Sequence, residues 1–191
     1  MTHFPLVLAS ASPRRLALLA QIGVAPDRVI AADIDETPGR VEQPRPYAQR
    51  LARAKAAAVD IPHALILAAD TVVAVGRRIL PKADSEAQAR TCLTLLSGRR
   101  HRVLTAVVLL GADGHRTERV AESVVAFARL TEDRIVAYLA TGEWAGKAGG
   151  YAIQGHAAAF VRFLSGSHSN VVGLPLYETA QLLRGAGYPV P

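Results

Sequence analysis

The chain has 191 residues, half of them apolar, which is enough to bury a substantial core, and its 20% of charged residues argues against disorder. A net charge of +6 favours an anionic partner, which could be a nucleotide, a nucleic acid or an acidic membrane. The single cysteine, Cys92, excludes an intramolecular disulfide and favours a reducing compartment.

The first half of the chain predicts two strands and two helices. No basic leader precedes the apolar segment Pro5–Ala9, so we expect a strand there rather than a signal peptide. Ser12-Pro13 is typical of a helix start, and Gly23 is expected to end that helix. A strand over Val29–Ala32 and a helix over Tyr47–Val59 follow. No apolar run is long enough to cross a bilayer, and we expect a cytoplasmic protein without membrane contact.

The rest of the chain mixes strands and helices. The apolar run Leu65–Val75 predicts one buried strand or a pair of strands interrupted at Asp70-Thr71. The later elements are a helix over 85–96, antiparallel strands over Val103–Leu110 and Val120–Leu130, a helix from Thr131 to Ala140, a glycine-rich loop over Gly142–Gly150, and a final helix over Leu174–Leu183. This order predicts a mixed α/β (α+β) fold with a central, mixed, twisted sheet flanked by helices. Without a linker, we expect one domain over residues 1–191, with two lobes around a cleft.

An anion site is indicated at the first strand-to-helix junction. Ser10, Ser12, Arg14 and Arg15 lie there, where free amides and the helix dipole attract phosphate oxygens. The alternative is an ordinary capped helix with a solvated basic first turn. Cations at a helix N-terminus are electrostatically misplaced by up to about 1 kcal/mol each, which hints at a bound anion.

Acidic residues in two places are candidate metal ligands. Asp70 interrupts an apolar run, where an ionised carboxylate needs a partner or a metal, although a solvent-exposed turn would also accommodate it. Asp35 and Glu36, with Asp33 nearby, follow the second predicted strand. Clustered carboxylates bind Mg²⁺ or Mn²⁺ through oxygen, whereas the alternative is a solvated acidic loop.

The remaining candidates are basic or amide side chains. Lys55 and Lys82 would not be singled out by composition alone, because a single lysine is usually a surface residue. Lys147 could contact phosphate, and Gln154 offers a donor and an acceptor to a base edge. The segment that carries them is not a Walker A loop. The six histidines have no HxxxH or HxH spacing, which disfavours zinc.

Taken together, six segments resemble the Maf family of nucleotide pyrophosphatases over nearly the whole chain. They occur in the order LASASPRRLALLAQIGV, RLARAKA, AADTVV, LLSGRRHRVLTAVVL, KAGGYAIQG and SNVVGLPLYET. The resemblance implies a fold like that of inosine triphosphate pyrophosphatases, a divalent cation (Mg²⁺ or Mn²⁺), and homodimers. The KAGxYxIQG form is similar to the branch that acts on dTTP and UTP.

The resemblance also implies roles for individual residues. Ser10, Arg14 and Arg15 match the phosphate-binding segment, and Lys55 and Lys82 match two active-site lysines. Asp70 matches the proton acceptor, and either Asp35 or Glu36 matches a metal-binding or catalytic acid. Arg14, Thr71 and Gln154 match positions linked to substrate choice. The family's usual Gly-Lys-Pro around the second lysine is replaced by Pro81-Lys82-Ala83.

These features predict an enzyme that cleaves a nucleoside triphosphate, dTTP, UTP or a modified pyrimidine nucleotide, between its α- and β-phosphates. The implied role is in removing unwanted nucleotides or in cell division. A nucleotide sensor without turnover, or a nucleic-acid-binding protein, is the alternative. Aromatic residues make up only 5% of the chain and no basic recognition helix is evident, so we expect no stable nucleic-acid partner.

Overall fold

The computed structural model describes residues 4–191, so His3 lies outside the described residues. The strands are β1 (Leu6–Leu8), β2 (Arg28–Val29), β3 (Leu65–Val75), β4 (Arg78–Leu80), β5 (Arg100–Leu110), β6 (Arg116–Phe127) and β7 (Val161–Ser165). The α-helices are α1 (Pro13–Gln21), α2 (Pro44–Ala57), α3 (Glu86–Leu96), α4 (Glu132–Ala140), α5 (His168–Val172) and α6 (Leu176–Gly185). A 3₁₀ helix over His156–Phe160 precedes β7. In this part of the chain, no helix is both long and apolar enough to cross a membrane.

The described strands form one mixed sheet in the order β2-β1-β3-β5-β6-β7, with β4 also paired to β3. Strand β1 runs parallel to β2 and β3, whereas the other pairs are antiparallel. The mixed α/β fold predicted from the sequence is therefore confirmed. The arrangement of two lobes around a cleft stays a prediction.

Side chains of β3 alternate between two apolar clusters. Leu67, Ala69 and Val73 belong to the larger cluster, while Ala68 and Val72 pack in a second cluster with α2. Since successive strand residues point to opposite faces, Asp70 and Thr71 point to opposite faces of the sheet.

Helix α2 approaches the sheet closely through small side chains. Ala48, Leu51, Ala52 and Lys55 are buried and follow the spacing of one helical face. This face covers β3, so the ammonium group of Lys55 is directed to the sheet rather than to solvent. The buried lysine is thus a consequence of the helix periodicity.

A gap in the sheet lies beside the middle of β3. Strand β1 pairs with Leu65–Leu67 and β4 pairs with Val73–Val75, so residues 68–72 have only β5 as a strand neighbour within residues 4–191. The chain leaves β1 at this level and enters α1. We call residues 68–72 the strand gap. Asp70 and Thr71 lie in this gap, where one edge of β3 has no strand neighbour.

Several predicted elements differ from the structure. Strand β2 covers only Arg28–Val29 instead of Val29–Ala32, and β6 spans Arg116–Phe127 instead of Val120–Leu130. Helix α2 begins at Pro44, because proline is tolerated in a first helical turn. The predicted final helix is wrong at its start: α5 ends at Val172, Gly173 adopts a φ of 136°, and α6 begins only after Pro175. The sequence prediction also missed β4, a three-residue strand that depends on its pairing with β3.

The glycine-rich loop packs closely against α3. Gly150 has a φ of 68°, and a Cβ there would lie 3.0 Å from Ala89 Cα. We expect Gly150→Ala to lower the free energy of unfolding by about 3 kcal/mol, since a left-handed backbone and a backbone clash both oppose the side chain. Gly114→Ala is the matched control: its φ is 79° but nothing lies within 4 Å, so about 1 kcal/mol is expected. Equal losses in urea unfolding would contradict the packing argument.

Candidate active site

A cavity of about 480 Å³ opens at the strand gap, beside the N-terminus of α1. Ten of the residues singled out in the sequence line it: Ser10, Ser12, Arg14, Arg15, Glu36, Lys55, Asp70, Thr71, Lys82 and Lys147. The early Ser/Arg turn and Asp70 therefore face one common space, although 55 or more residues separate them in the chain.

Two sequence candidates do not line this cavity. The Asp35 carboxylate is exposed and accepts a hydrogen bond from the Thr37 amide, and Gln154 is also exposed. Ile30, Ala32 and Ile34 pack on the cluster beside α2. Glu36 continues this alternation of every second residue, so its side chain points inward, whereas that of Asp35 points outward. The sequence alone had left open which of the two acids belongs to the site.

Two carboxylates and two lysines form a charged cluster, defined here as Glu36, Lys55, Asp70 and Lys82. The Lys55 Nζ atom lies 2.5 Å from Asp70 Oδ1 and 2.7 Å from Glu36 Oε1. Lys82 Nζ donates to the second oxygen of Glu36. Asp70 and Lys55 are buried, and an unpaired charge at such depth would be strongly destabilising.

The Glu36 carboxylate is held ionised by its neighbours. Partial burial opposes ionisation, but hydrogen bonds from Lys55 and Lys82 outweigh it and lower the pKa of Glu36 below its usual value of 4.5. Its main-chain carbonyl accepts a 2.6 Å hydrogen bond from the hydroxyl of Tyr47 on α2. Tyr47 was not singled out in the sequence and carries no motif signal of its own.

The two arginines of the α1 junction differ in their surroundings. Arg15 donates from Nε to the Gly173 carbonyl at 2.9 Å, from Nη1 to Ser10 Oγ at 3.0 Å, and from Nη2 to Thr71 Oγ1 at 3.3 Å. Arg14, in contrast, has no hydrogen-bond or ion-pair partner within residues 4–191. Arg14 is therefore the guanidinium free to bind an added anion.

The lining of the cavity carries more positive than negative charge. Burial lowers the pKa of Arg14, and it lowers the pKa of Lys147 with a further contribution from the positive charge of Arg14. Burial likewise lowers the pKa of Arg15. Five cations and two carboxylates among the lining residues leave a net charge of +3, which suits a polyanionic ligand.

The N-terminus of α1 adds backbone donors to this charge. Ser12 occupies the N-cap position, but its side chain makes no capping hydrogen bond, and Pro13 follows it. Pro13 has no amide and the Arg15 amide donates to the Ser12 carbonyl at 3.2 Å, which leaves the Arg14 amide as the first-turn donor without an acceptor among residues 4–191. A free amide of this kind is what helix N-termini offer to phosphate. The expected capping role of the serine side chain is therefore wrong, although the helix start is correct.

Known proteins provide an independent comparison. The family model described as a Maf-like protein matches residues 5–186. This chain belongs to the Maf family. Proteins named dTTP/UTP pyrophosphatase from Granulibacter bethesdensis and Rhodospirillum rubrum are each 64% identical to it, over 98% and 96% of this chain and 95% and 89% of theirs. The Ham1 protein of Staphylococcus aureus is similar in structure, with a TM-score of 0.44 and 21% identity over 65% of this chain and 72% of that one.

The Pro81-Lys82-Ala83 departure from the Maf pattern leaves Lys82 within reach of the cavity. The Pro81 carbonyl accepts from the Gly149 amide at 3.0 Å, and the Ala83 amide donates to the Lys147 carbonyl at 3.1 Å. These bonds join the two lysine-bearing loops. The proline lacks an amide, yet the pairing uses its carbonyl, so the substitution is accommodated.

The Glu36 pairs make stability depend on pH. Because the folded state lowers the pKa of Glu36, its contribution is present above about pH 4.5 and is lost as the pH falls through the lowered value. We expect Glu36→Gln to reduce the free energy of unfolding most at pH 7, with the gap to wild type closing below pH 4. Chemical unfolding at several pH values measures this. A gap that stays constant from pH 7 to pH 3 would contradict the assignment.

Proposed function

We propose that this Maf protein hydrolyses dTTP and UTP, or modified forms of these nucleotides, between the α- and β-phosphates. The products would be the nucleoside monophosphate and pyrophosphate. The proposal rests on one observation: five cationic side chains, two carboxylates and the N-terminus of α1, which has no side-chain cap, line the same cavity. The names of relatives at 64% identity support the same substrates.

Glu36 and Asp70 are the residues we propose to hold a divalent cation. Their oxygens suit Mg²⁺ or Mn²⁺, which commonly bind through one or two carboxylates completed by substrate phosphates. Within residues 4–191 no group of three or more acidic, histidine or cysteine side chains forms a complete cage, which is consistent with shared coordination. When bound, the cation would neutralise phosphate charge and acidify a water molecule. Asp35 is exposed outside the cavity and is not included.

Asp70 is the residue we propose as the proton acceptor. Its Oδ1 is held by Lys55, whereas Oδ2 has no hydrogen-bond partner among the described residues. Oδ2 is therefore free to accept a proton from the water that attacks the α-phosphorus. The bond from phosphorus to the bridging oxygen then breaks, and pyrophosphate leaves with the electron pair.

The remaining cations would stabilise the charge that develops on the phosphate oxygens. Arg14 and Lys147 are partly buried, carry uncompensated charge, and lie beside the helix N-terminus. Donors preorganised in this way act without reorganisation during the reaction, which is the main source of catalysis in phosphoryl transfer. Lys82, paired with Glu36 and partly exposed, would contact the leaving pyrophosphate.

We further propose a cytoplasmic homodimer, as the family resemblance implies, without a stable nucleic-acid partner. Sedimentation equilibrium of the purified chain would give twice the monomer mass of 20.3 kDa if this is correct. A monomer across micromolar concentrations would contradict the dimer without affecting the proposed reaction.

The proposed reaction is tested by measuring pyrophosphate release from a panel of common and modified nucleoside triphosphates, with Mg²⁺ or Mn²⁺. We expect dTTP and UTP to be consumed with equal amounts of monophosphate and pyrophosphate formed, and chelation to stop the reaction. Release of orthophosphate would contradict cleavage at the α–β bond. Tight nucleotide binding without turnover would instead favour a sensor.

Asp70→Asn should lower kcat by at least about a thousandfold, since a carboxamide cannot accept the proton. Nucleotide binding, measured by calorimetry, should persist because the cations remain. The matched control is Asp60→Asn, which alters an exposed carboxylate outside the cavity and should keep wild-type turnover. Near-normal turnover in Asp70→Asn would remove this residue from the mechanism.

A further inference from the structure

The charged cluster has no surplus negative charge, because its two carboxylates are matched by two ammonium groups. Both oxygens of Glu36 are engaged: Oε1 lies 2.7 Å from Lys55 Nζ, and Oε2 accepts a hydrogen bond from Lys82 Nζ. Asp70 pairs with Lys55 through Oδ1, and its Oδ2 has no partner among residues 4–191. The cluster as it stands therefore offers a divalent cation one free carboxylate oxygen.

The two ammonium groups oppose a divalent cation at this position. Mg²⁺ and Mn²⁺ bind through anionic oxygens, and the lysines occupy three of the four that Glu36 and Asp70 provide. They also repel the cation, since like charges a few ångströms apart interact strongly away from bulk water. For Glu36 to become a ligand, at least one of its oxygens must lose its lysine.

The two lysines differ in what their departure would leave behind. The Lys55 side chain is only 9% exposed and is paired with Asp70 as well, so its departure would leave a buried carboxylate without a partner. The Lys82 side chain is 45% exposed, and Glu36 is its acidic partner. Ion pairs at such exposure are weak, so Lys82 is the lysine that can exchange its partner.

The main chain of Lys82 is anchored, which confines any displacement to its side chain. Lys82 forms an isolated antiparallel bridge with Ala148, and the backbone bonds of Pro81 and Ala83 to the other lysine-bearing loop flank it. Lys82 also lines the cavity. Its flexible four-carbon stem allows the ammonium group to leave Glu36 and still remain in the cavity, where phosphate oxygens would accept its hydrogen bonds.

We propose that the Lys82 ammonium group is a displaceable substitute for the divalent cation: it neutralises Glu36 in the nucleotide-free protein and leaves that carboxylate when a cation and a triphosphate bind together. This inference rests on the proposed function for the identity of the site, and it adds an order of events. A cation added alone would increase the net charge of +3 in the cavity lining, and a polyanion is needed to offset the excess. The protein by itself therefore binds divalent cations weakly.

The test measures Mn²⁺ binding to the nucleotide-free protein from the electron paramagnetic resonance signal of unbound Mn²⁺. Lys82→Met keeps most of the side-chain length and removes its charge. We expect the Kd for Mn²⁺ to fall about tenfold relative to wild type, a usual size for the coupling between two competing events. Lys82→Arg keeps the charge and should retain the weak binding of wild type. Equal Kd values in wild type and Lys82→Met, or no binding by either, would overturn the proposal.

Lys147→Met is the matched control, because it removes a positive charge from the same cavity lining without altering the cluster. Lys147 Nζ donates to the Ala145 carbonyl at 2.7 Å, and the charged groups that act on it are Arg14 and Glu143. Its removal should lower the Kd for Mn²⁺ by less than about twofold, since solvent ions screen charges that are not in contact. An equal gain in both variants would mean that only the total charge of the cavity matters, and would overturn the proposal.

The binding measurement needs no turnover, so this inference and the proposed reaction can fail separately. A lower Kd in Lys82→Met, without pyrophosphate release by wild type, would support the role of Lys82 and contradict the hydrolase. An unchanged Kd, with wild type that hydrolyses dTTP and UTP, would overturn the role of Lys82 alone. If Lys82→Met does not fold, Lys82→Ala is the second variant, with the same expected gain in Mn²⁺ affinity and the same contradicting result.

Discussion

The ammonium group of Lys55, buried between the carboxylates of Glu36 and Asp70, is the interaction on which the rest of the site depends. It joins three elements that are separate in the chain: the extended segment after β2, helix α2 and the middle of β3. Isolated charges would not be tolerated at the depth of Lys55 and Asp70, so each of these two groups requires a partner of opposite charge. The ion pairs hold the carboxylate oxygens of Glu36 and Asp70 in fixed positions.

The strand gap explains how a sheet with two apolar faces can contain a polar site at all. A fully paired strand would bury Asp70 and Thr71 on opposite faces, each in its own apolar cluster. Where β1 turns away and β4 has not yet begun, both side chains instead reach the same cavity from one exposed edge. One side of the strand therefore brings Asp70 to the cavity together with Lys55, and the other brings Thr71 together with Arg15.

The arginine pair shows how neighbouring residues of one motif take separate tasks. Arg15 donates hydrogen bonds to Ser10, Thr71 and Gly173. These bonds link α1 to β3 and to the end of α5. Arg14 has no such partners among the described residues and keeps its charge available. A guanidinium suits the first task because its donors lie on three separate nitrogens in a rigid plane, whereas the three donors of a lysine share one nitrogen. Thr71 in turn lies within hydrogen-bond distance of Thr105, which donates to the buried Asn170 carbonyl.

Local patterns in the sequence determined most of the elements and the chemical class of the site. Apolar periodicity gave β3, β5 and α3 nearly at their observed bounds, and the Ser-Pro pair marked the start of α1. The junction of Ser10, Arg14 and Arg15 indicated an anion site for reasons that are purely local, namely free amides and a helix dipole. Only the tertiary structure decided which acid serves the cavity, since Asp35 and Glu36 are equivalent in composition and differ solely in the side of the chain from which they project. It likewise decided that Gln154 lies outside the cavity lining, that Arg15 is engaged while Arg14 is free, and that Thr71 is connected to Thr105. These distinctions arise from contacts between residues tens of positions apart, and no local pattern carries that information.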